Sequence, residues 1–177
     1  MAGIAQRGRT GGLPSVAVIQ SRDCAFRGKL SAISGGAAPT LGITVVSAPC
    51  GNAAHIESAF DARAREGGGG IIGIPDTFIV EHRDLIIELA AWHHLPAVYG
   101  TRDFVLRGGL LAYSADFVAI FHRAASYVDQ TLRGVRPGEL PVQAPDKFTL
   151  SVNLRAAGAI GLTLPPNLIA RADEVIE

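Results

Sequence analysis

Net charge, cysteine and long hydrophobic runs are all scarce in this sequence, and each scarcity excludes a class of protein. The 16 basic and 16 acidic side chains cancel, so there is no basic stripe of the kind that binds nucleic acid or an anionic membrane. No apolar run is long enough to span a bilayer. The two cysteines, Cys24 and Cys50, are too few for a disulfide framework, and the sequence leaves open whether they form a bridge or stay free.

Sequence motifs for catalysis and for metal binding are also missing. None of the patterns GxSxG, HExxH, CxxC or GxxxxGK[ST] occurs. The adjacent His93 and His94 would point about 100° apart on a helix, which disfavours a shared metal ion. Four glycines at 67–70 follow a predicted helix and precede a predicted strand, the reverse of the order in a phosphate-binding loop. The four glycines therefore indicate a helix end and a turn. Since these motifs are missing, we expect no enzyme activity, no cofactor and no metal.

What the sequence does contain is an alternation of strand and helix patterns. Short apolar runs, typical of buried parallel strands, lie at 16–20, 43–47, 71–74, 96–99 and 110–113. This alternation predicts an α/β fold with a Rossmann-like parallel sheet that carries helices on both faces. We expect a flexible leader over residues 1–14 and a ligand-binding lobe over residues 15–114.

The predicted helices between these strands follow from the helical spacing of apolar residues. A short helix is expected at 26–33 and a longer one at 56–66, in which Arg63 and Arg65 are directed away from the core. Another begins after a cap at Asp76 or Thr77, and its apolar stripe consists of Phe78, Leu85, Leu89 and Trp92.

The C-terminal region, residues 115–177, has a different pattern. Asp116 can cap a long helix that ends near residue 133, with an apolar face of Phe117, Ile120, Phe121, Ala124 and Val128. Residues 148–154 alternate between apolar and polar, which predicts a strand with one solvated face. Two short helices are expected around Pro165 and Pro166.

The candidate binding site lies where the parallel strands end, because ligands of open α/β sheets bind beyond the carboxyl ends of the strands. The ligand-binding residues that this rule predicts are Asp76, Thr77, Tyr99, Tyr113 and Ser114. We expect them to converge on a small zwitterion, with Asp76 facing its amine and the aromatic rings its apolar part. The sequence leaves open whether Asp76 is only a helix cap and whether the tyrosine rings are only packed.

Six passages in the second half keep an order and spacing that resemble a known family: "LPAVYG", "GGLLAYS", "RAASYVD", "LRGVRPGELPVQAP", "NLRAAGAIGLTLP" and "ARADEVIE". They resemble the C-terminal half of ABC-transporter substrate-binding proteins of the group that includes tryptophan- and tyrosine-binding lipoproteins. The resemblance implies one lobe of a type I periplasmic binding fold, a small amino-acid-like solute and a permease as partner. It also implies a periplasmic or lipoprotein-anchored location.

The chain departs from this family in ways that shape the expectations. In the family a whole first lobe precedes the strand that matches "VAVIQ", so the resemblance implies a truncated protein with half a cleft. The first 15 residues lack the apolar core of a signal peptide, so the chain as given would be cytoplasmic. In the family the tail packs partly on the first lobe. Without that lobe, the apolar face of helix 117–133 is expected to be exposed and to mediate a homodimer.

The leading expectation is therefore a non-catalytic solute-binding component of an ABC transporter. One alternative is a remnant that binds no solute, or an interaction module that self-associates. Another is the effector-sensing domain of a transcriptional regulator, although nothing like a helix-turn-helix precedes Val16. An enzyme is disfavoured, because Asp76 and Ser114 alone at the strand ends offer a base and a nucleophile.

Overall fold

The computed structural model of the protein describes residues 15–24, 36–67 and 69–177. The predicted leader and the predicted helix at 26–33 lie outside these residues. Among the described helices, none is long and apolar enough to cross a bilayer.

One mixed sheet organises the described residues. Its seven strands are β1 Ser15–Ser21, β2 Thr44–Cys50, β3 Gly70–Gly73, β4 Ala97–Tyr99, β5 Leu111–Ala115, β6 Phe148–Asn153 and β7 Glu174–Ile176. They lie side by side in the order β2-β1-β3-β4-β5-β6-β7. The first five are parallel, whereas β6 pairs antiparallel with β5 and parallel with β7. The five predicted parallel strands are thus confirmed, and β7 is an addition that the sequence did not predict.

Eight α-helices connect these strands in the described ranges. They are α1 Ala37–Thr40, α2 Ala53–Glu66, α3 Thr77–Glu81, α4 Arg83–Trp92, α5 Asp103–Leu106, α6 Phe117–Leu132, α7 Leu154–Ala159 and α8 Pro166–Ile169. A short 3-10 helix covers Pro137–Glu139. The single helix predicted after Asp76 is divided into α3 and α4, because the backbone leaves the helical region at His82 (ψ 16°).

The core consists of two apolar clusters on opposite faces of the sheet. The first packs Ile19 and Ile71 against α2, α3 and α4. The second packs Leu111 and Val152 against the C-terminal segments. Successive residues of β5 divide between them, because Leu111 belongs to the second cluster and Ala112 to the first. This confirms the expected α/β sheet with helices on both faces.

Two side chains lie on the opposite side of their helix from the predicted one. Trp92 is 80% exposed, because the buried positions of α4 are Ile86 and Ala90 and position 92 points about 200° away from position 90. Arg63 is buried rather than solvated. It continues the buried face of α2, and its guanidinium donates to Ser15 of β1 and to Glu66.

The prediction that one face of β6 is solvated is also wrong. Ser151 and Asn153 are buried, because the side chain of Glu174 in β7 and Val105 of α5 lie against this face of β6. Ser151 donates to Glu174 of β7 at 3.0 Å. The Asn153 side-chain amide donates to the carbonyl of Val105 at 3.2 Å, so both polar side chains find partners in the core.

Helix α6 differs from the other long helices because none of its residues is buried. Its cap is the predicted one, since Asp116 accepts from the amide of Ala119 at 3.0 Å. Its contacts run to the following connection, where Tyr127 donates to the carbonyl of Pro141 at 2.6 Å and Arg123 to that of Ala144 at 3.1 Å. The exposure expected for its apolar face is confirmed for Phe121 and Val128, which are 72% and 58% exposed, whereas Ile120 is half-buried.

Candidate functional site

The connections that follow β1 and β3 leave the sheet in opposite directions. The chain passes from β1 to β2 at the edge, then crosses to β3 on the other side of β1 and continues to β4. Such a reversal opens a crevice between the carboxyl ends of β1 and β3, where open α/β sheets bind ligands.

An open cleft of about 470 Å³ lies at this position. It is lined by Ser21, Asp23, Cys24, Asp76, Thr77, Phe78 and Glu81, and we call it the switch-point cleft. Of the predicted ligand-binding residues, Asp76 and Thr77 line it.

Asp76 is held in place by two backbone amides. Its Oδ1 accepts from the amide of Ile79 at 2.9 Å, which caps α3. Its Oδ2 accepts from the amide of Ser21 at 2.7 Å, which ties the start of α3 to the end of β1. The helix-cap interpretation is therefore confirmed. Each carboxylate oxygen retains a second lone pair for a ligand, so the cap does not exclude a binding role.

Among the residues that the structure describes, the charged side chains that line the switch-point cleft are all acidic: Asp23, Asp76 and Glu81 contribute three carboxylates. Such a wall attracts cationic groups and repels anionic ones.

Both cysteines, Cys24 and Cys50, are buried. Burial, reinforced by the nearby charge of Asp76, raises the pKa of the Cys50 thiol to about 11. Its Sγ donates to the carbonyl of Ala48 at 3.3 Å. Cys50 is therefore a protonated structural side chain near neutral pH, and it is a poor nucleophile.

Tyr99 lies in the core rather than on an exposed rim. It is 1% exposed, and its ring stacks on Phe104 with 4.3 Å between centroids. A Cβ at Gly109, just before β5, would lie 2.7 Å from its Cε2. The ring therefore extends toward the amino end of β5, away from the cleft. Burial raises the pKa of Tyr99, and its hydroxyl has no hydrogen-bond partner among the described residues.

Tyr113 and Ser114 lie at the end of β5, away from Asp76 in the sheet order. Tyr113 is 53% exposed and stacks on Phe148 at 5.5 Å. Ser114 is buried, with its Oγ 3.4 Å from that of Thr149. Tyr99 pairs in register with Ala112, so Tyr99 and Tyr113 lie on opposite faces of the sheet. The expected convergence of two tyrosines, an acid and a hydroxyl is therefore wrong.

Sequence reasoning missed Asp23, Phe78 and Glu81 as cleft residues. Asp23 lies two residues beyond β1, and Glu81 lies at the far end of α3. The usable signal was the acidic residues that follow a predicted strand end. Within the described ranges, no three His, Cys, Asp or Glu side chains group closely enough to hold a metal ion.

The sequence matches the model of a known protein family. The sequence model described as "ABC transporter substrate binding protein" matches residues 15–176. A search of curated proteins gives no significant match.

Three solved structures share the fold. One, from Vibrio cholerae O1 biovar El Tor, is a conserved domain protein with 27% identity and a TM-score of 0.81. A second is an ABC domain from Streptococcus pneumoniae in complex with L-Trp, with 18% identity and a TM-score of 0.80. A third is a ligand-free, open substrate-binding protein with adhesive properties from Clostridium difficile, with 14% identity and a TM-score of 0.67.

The matched structures are longer than this chain. The alignments cover 92%, 93% and 93% of the chain but only 55%, 57% and 55% of the respective structures. The chain therefore spans a little over half the length of each.

Proposed function

Because the chain belongs to the family of ABC transporter substrate-binding proteins, we propose that it is a non-catalytic solute-binding lobe. Its binding surface is the switch-point cleft, and its solute is small and carries an amine, as an amino acid does. The observation that carries the proposal is the position of this cleft at the carboxyl ends of β1 and β3, in a chain that matches a solute-binding family.

The chemistry of the cleft favours a cationic group over an anionic one. Asp23, Asp76 and Glu81 surround the opening, and an ammonium group there gains charge-assisted hydrogen bonds. Thr77 adds a hydroxyl and Phe78 an apolar surface for the rest of the solute. An amino acid fits this lining in one orientation, with its amine inward and its carboxylate outward. The L-Trp in the similar structure from Streptococcus pneumoniae supports this class of solute.

We propose that this chain alone binds its solute weakly. The cleft is open on one side, so a solute is contacted from one side and stays exposed to water on the other. Tight small-molecule sites enclose most of the ligand surface. In longer relatives a second lobe would supply the opposing contacts. We expect a dissociation constant of about 1 mM or weaker for this chain by itself.

Three indole compounds test the proposal: L-Trp, tryptamine (the amine without the carboxylate) and indole-3-propionate (the carboxylate without the amine). In two-dimensional NMR titrations of the full chain, we expect L-Trp and tryptamine to shift the amide signals of Asp23, Thr77 and Glu81. Indole-3-propionate should not shift them, because the acidic lining repels it.

A matched pair of variants separates the cleft from general charge effects. Glu81→Gln removes a cleft carboxylate and leaves the Asp76 cap intact, so it should weaken tryptamine binding. Glu57→Gln removes an exposed carboxylate on α2, outside the cleft, and should leave binding unchanged. Equal binding by both variants would contradict the assignment of the cleft.

We also propose a partner and a location for this chain. Substrate-binding proteins of this family work with a permease, outside the cytoplasmic membrane or anchored to it. We propose the same setting for this chain in its functional form. A second candidate function, a self-associating interaction module, is favoured by the exposed apolar face of α6, which corresponds to the predicted dimer helix 117–133.

A further inference from the structure

His82 lies next to the switch-point cleft, at the break between α3 and α4. Its ring packs on that of Phe78, one helical turn earlier, with 4.2 Å between the ring centroids and 35° between the ring planes. Phe78 lines the cleft, whereas the described residue His82 is outside the lining. Both side chains are half-buried. His82 therefore contacts one wall of the cleft without belonging to it.

The ring of His82 is itself held in place by two hydrogen bonds to one atom. Its Nδ1 lies 2.9 Å from the carbonyl oxygen of Phe78, and the backbone amide of His82 donates to the same oxygen at 3.1 Å. A carbonyl oxygen only accepts, so Nδ1 carries a hydrogen in the neutral ring as well as in the protonated ring. Because the oxygen has two lone pairs, it can accept both bonds. The imidazole is thus fixed against the turn that carries Phe78.

The position of Phe78 in α3 explains why its ring benefits from this contact. Phe78 is the second residue of the helix, and part of its side chain packs on the first core cluster. Two χ1 rotamers are common for an aromatic residue in a helix. Residues four apart are neighbours on a helix surface, so the contact with His82 selects one of these rotamers.

We propose that His82 is a positioning residue of the switch-point cleft, because its ring holds Phe78 in the orientation that lines the opening. The proposal rests on the proposed function for what binds there, but the orientation of Phe78 can be measured without a solute. A side chain that is already ordered loses less entropy when a solute binds, so the held ring strengthens binding. In this role His82 acts through Phe78 and does not contact the solute.

NMR spectroscopy of the full chain without a solute tests the orientation of Phe78. The three-bond couplings between its Hα and Hβ atoms report whether one χ1 rotamer is populated. We expect one rotamer in the wild type and an average of rotamers in His82→Ala. His122→Ala, which changes an exposed histidine of α6 outside the cleft, should leave the couplings of Phe78 unchanged. A single rotamer in His82→Ala, or an average in the wild type, would overturn the proposal.

Two further variants separate the ring of His82 from its hydrogen bond. His82→Phe keeps an aromatic ring against Phe78 but lacks the donor, whereas His82→Asn keeps a donor near the position of Nδ1 but lacks the ring. We expect His82→Phe to bind tryptamine within about twofold of the wild type, and His82→Asn and His82→Ala to bind it about three- to tenfold more weakly. If His82 served only to end α3, the order would be reversed and the asparagine variant would keep binding. Circular dichroism of each variant verifies that the fold is intact.

The failure of this proposal and the failure of the proposed function give different results. If the wild type does not bind tryptamine at the cleft, the proposed function is wrong, and the couplings of Phe78 still decide whether His82 positions its ring. If the wild type and His82→Ala bind tryptamine equally well, the cleft assignment stands and the positioning role of His82 is wrong.

Discussion

Asp76 has two roles in the switch-point cleft: it caps α3 and ties it to β1, and it is proposed to bind the amine of the solute. Substitutions of Asp76 can separate these roles. Its two oxygens accept from Ile79 at 2.9 Å and from Ser21 at 2.7 Å. Asp76→Ala removes the helix cap, a loss of about 0.5–2 kcal/mol. It also leaves the amide of Ser21 without its acceptor, and an unsatisfied partly buried amide costs about 1–3 kcal/mol. Together we expect the free energy of unfolding to fall by about 2–4 kcal/mol.

Asp76→Asn should keep the helix cap but remove the negative charge. Asparagine caps helices as well as aspartate does, and its one carbonyl oxygen replaces one of the two acceptors. We expect a loss of about 1–2 kcal/mol, smaller than for alanine. The ammonium-binding charge is lost in both variants, so both should lose tryptamine binding. Asp76→Asn should therefore be more stable than Asp76→Ala, although both variants should lose tryptamine binding.

Urea denaturation monitored by circular dichroism measures the stability term. Asp23→Ala is the matched control, because it removes another carboxylate of the same cleft in a surface turn. Its effect should stay within about 0.5 kcal/mol. If Asp76→Ala lowers the free energy of unfolding no more than Asp23→Ala does, the two amide contacts of Asp76 do not stabilise the fold.

Two further predictions concern buried groups. Tyr99→Phe removes a hydroxyl that is buried without a described partner, so it should raise the free energy of unfolding by about 1 kcal/mol. A loss of stability in urea denaturation would show that the hydroxyl is bonded. Because burial, reinforced by Asp76, raises the pKa of Cys50 to about 11, its thiol should resist Ellman's reagent at pH 8 in the native state. An unfolded Cys50 ionises at lower pH than the folded one, so its stabilising contribution is complete below the unfolded pKa. That contribution should be lost as the pH rises toward 11. Cys50→Ala should flatten this part of the profile, and an unchanged slope would contradict the linkage.

Most elements of the fold could be predicted from local sequence. Continuous apolar runs located the five parallel strands, and the acids before α3 and α6 identified both caps. These features depend on neighbours a few residues apart. β7 was missed because three residues, Glu174–Ile176, carry no periodic signal and become a strand only by pairing with β6.

Side-chain direction was harder to predict than secondary structure. Arg63 is buried because Ser15, 48 residues away, accepts from its guanidinium. Tyr99 points into the core because Gly73 and Gly109 leave room for its ring. The prediction of Asp76 and Thr77 needed only a strand end. The rest of the cleft needed the distances between separate elements, which determine whether Asp23 and Glu81 line one opening.

We propose that the switch-point cleft binds the amine of a small solute. NMR titration of the full chain with tryptamine, beside a titration with indole-3-propionate, tests this binding. We predict saturable shifts of the amide signals of Asp23, Thr77 and Glu81 with tryptamine but not with indole-3-propionate. The dissociation constant for tryptamine should be about 1 mM or weaker. No shifts at these residues, or equal shifts with both compounds, would contradict the claim.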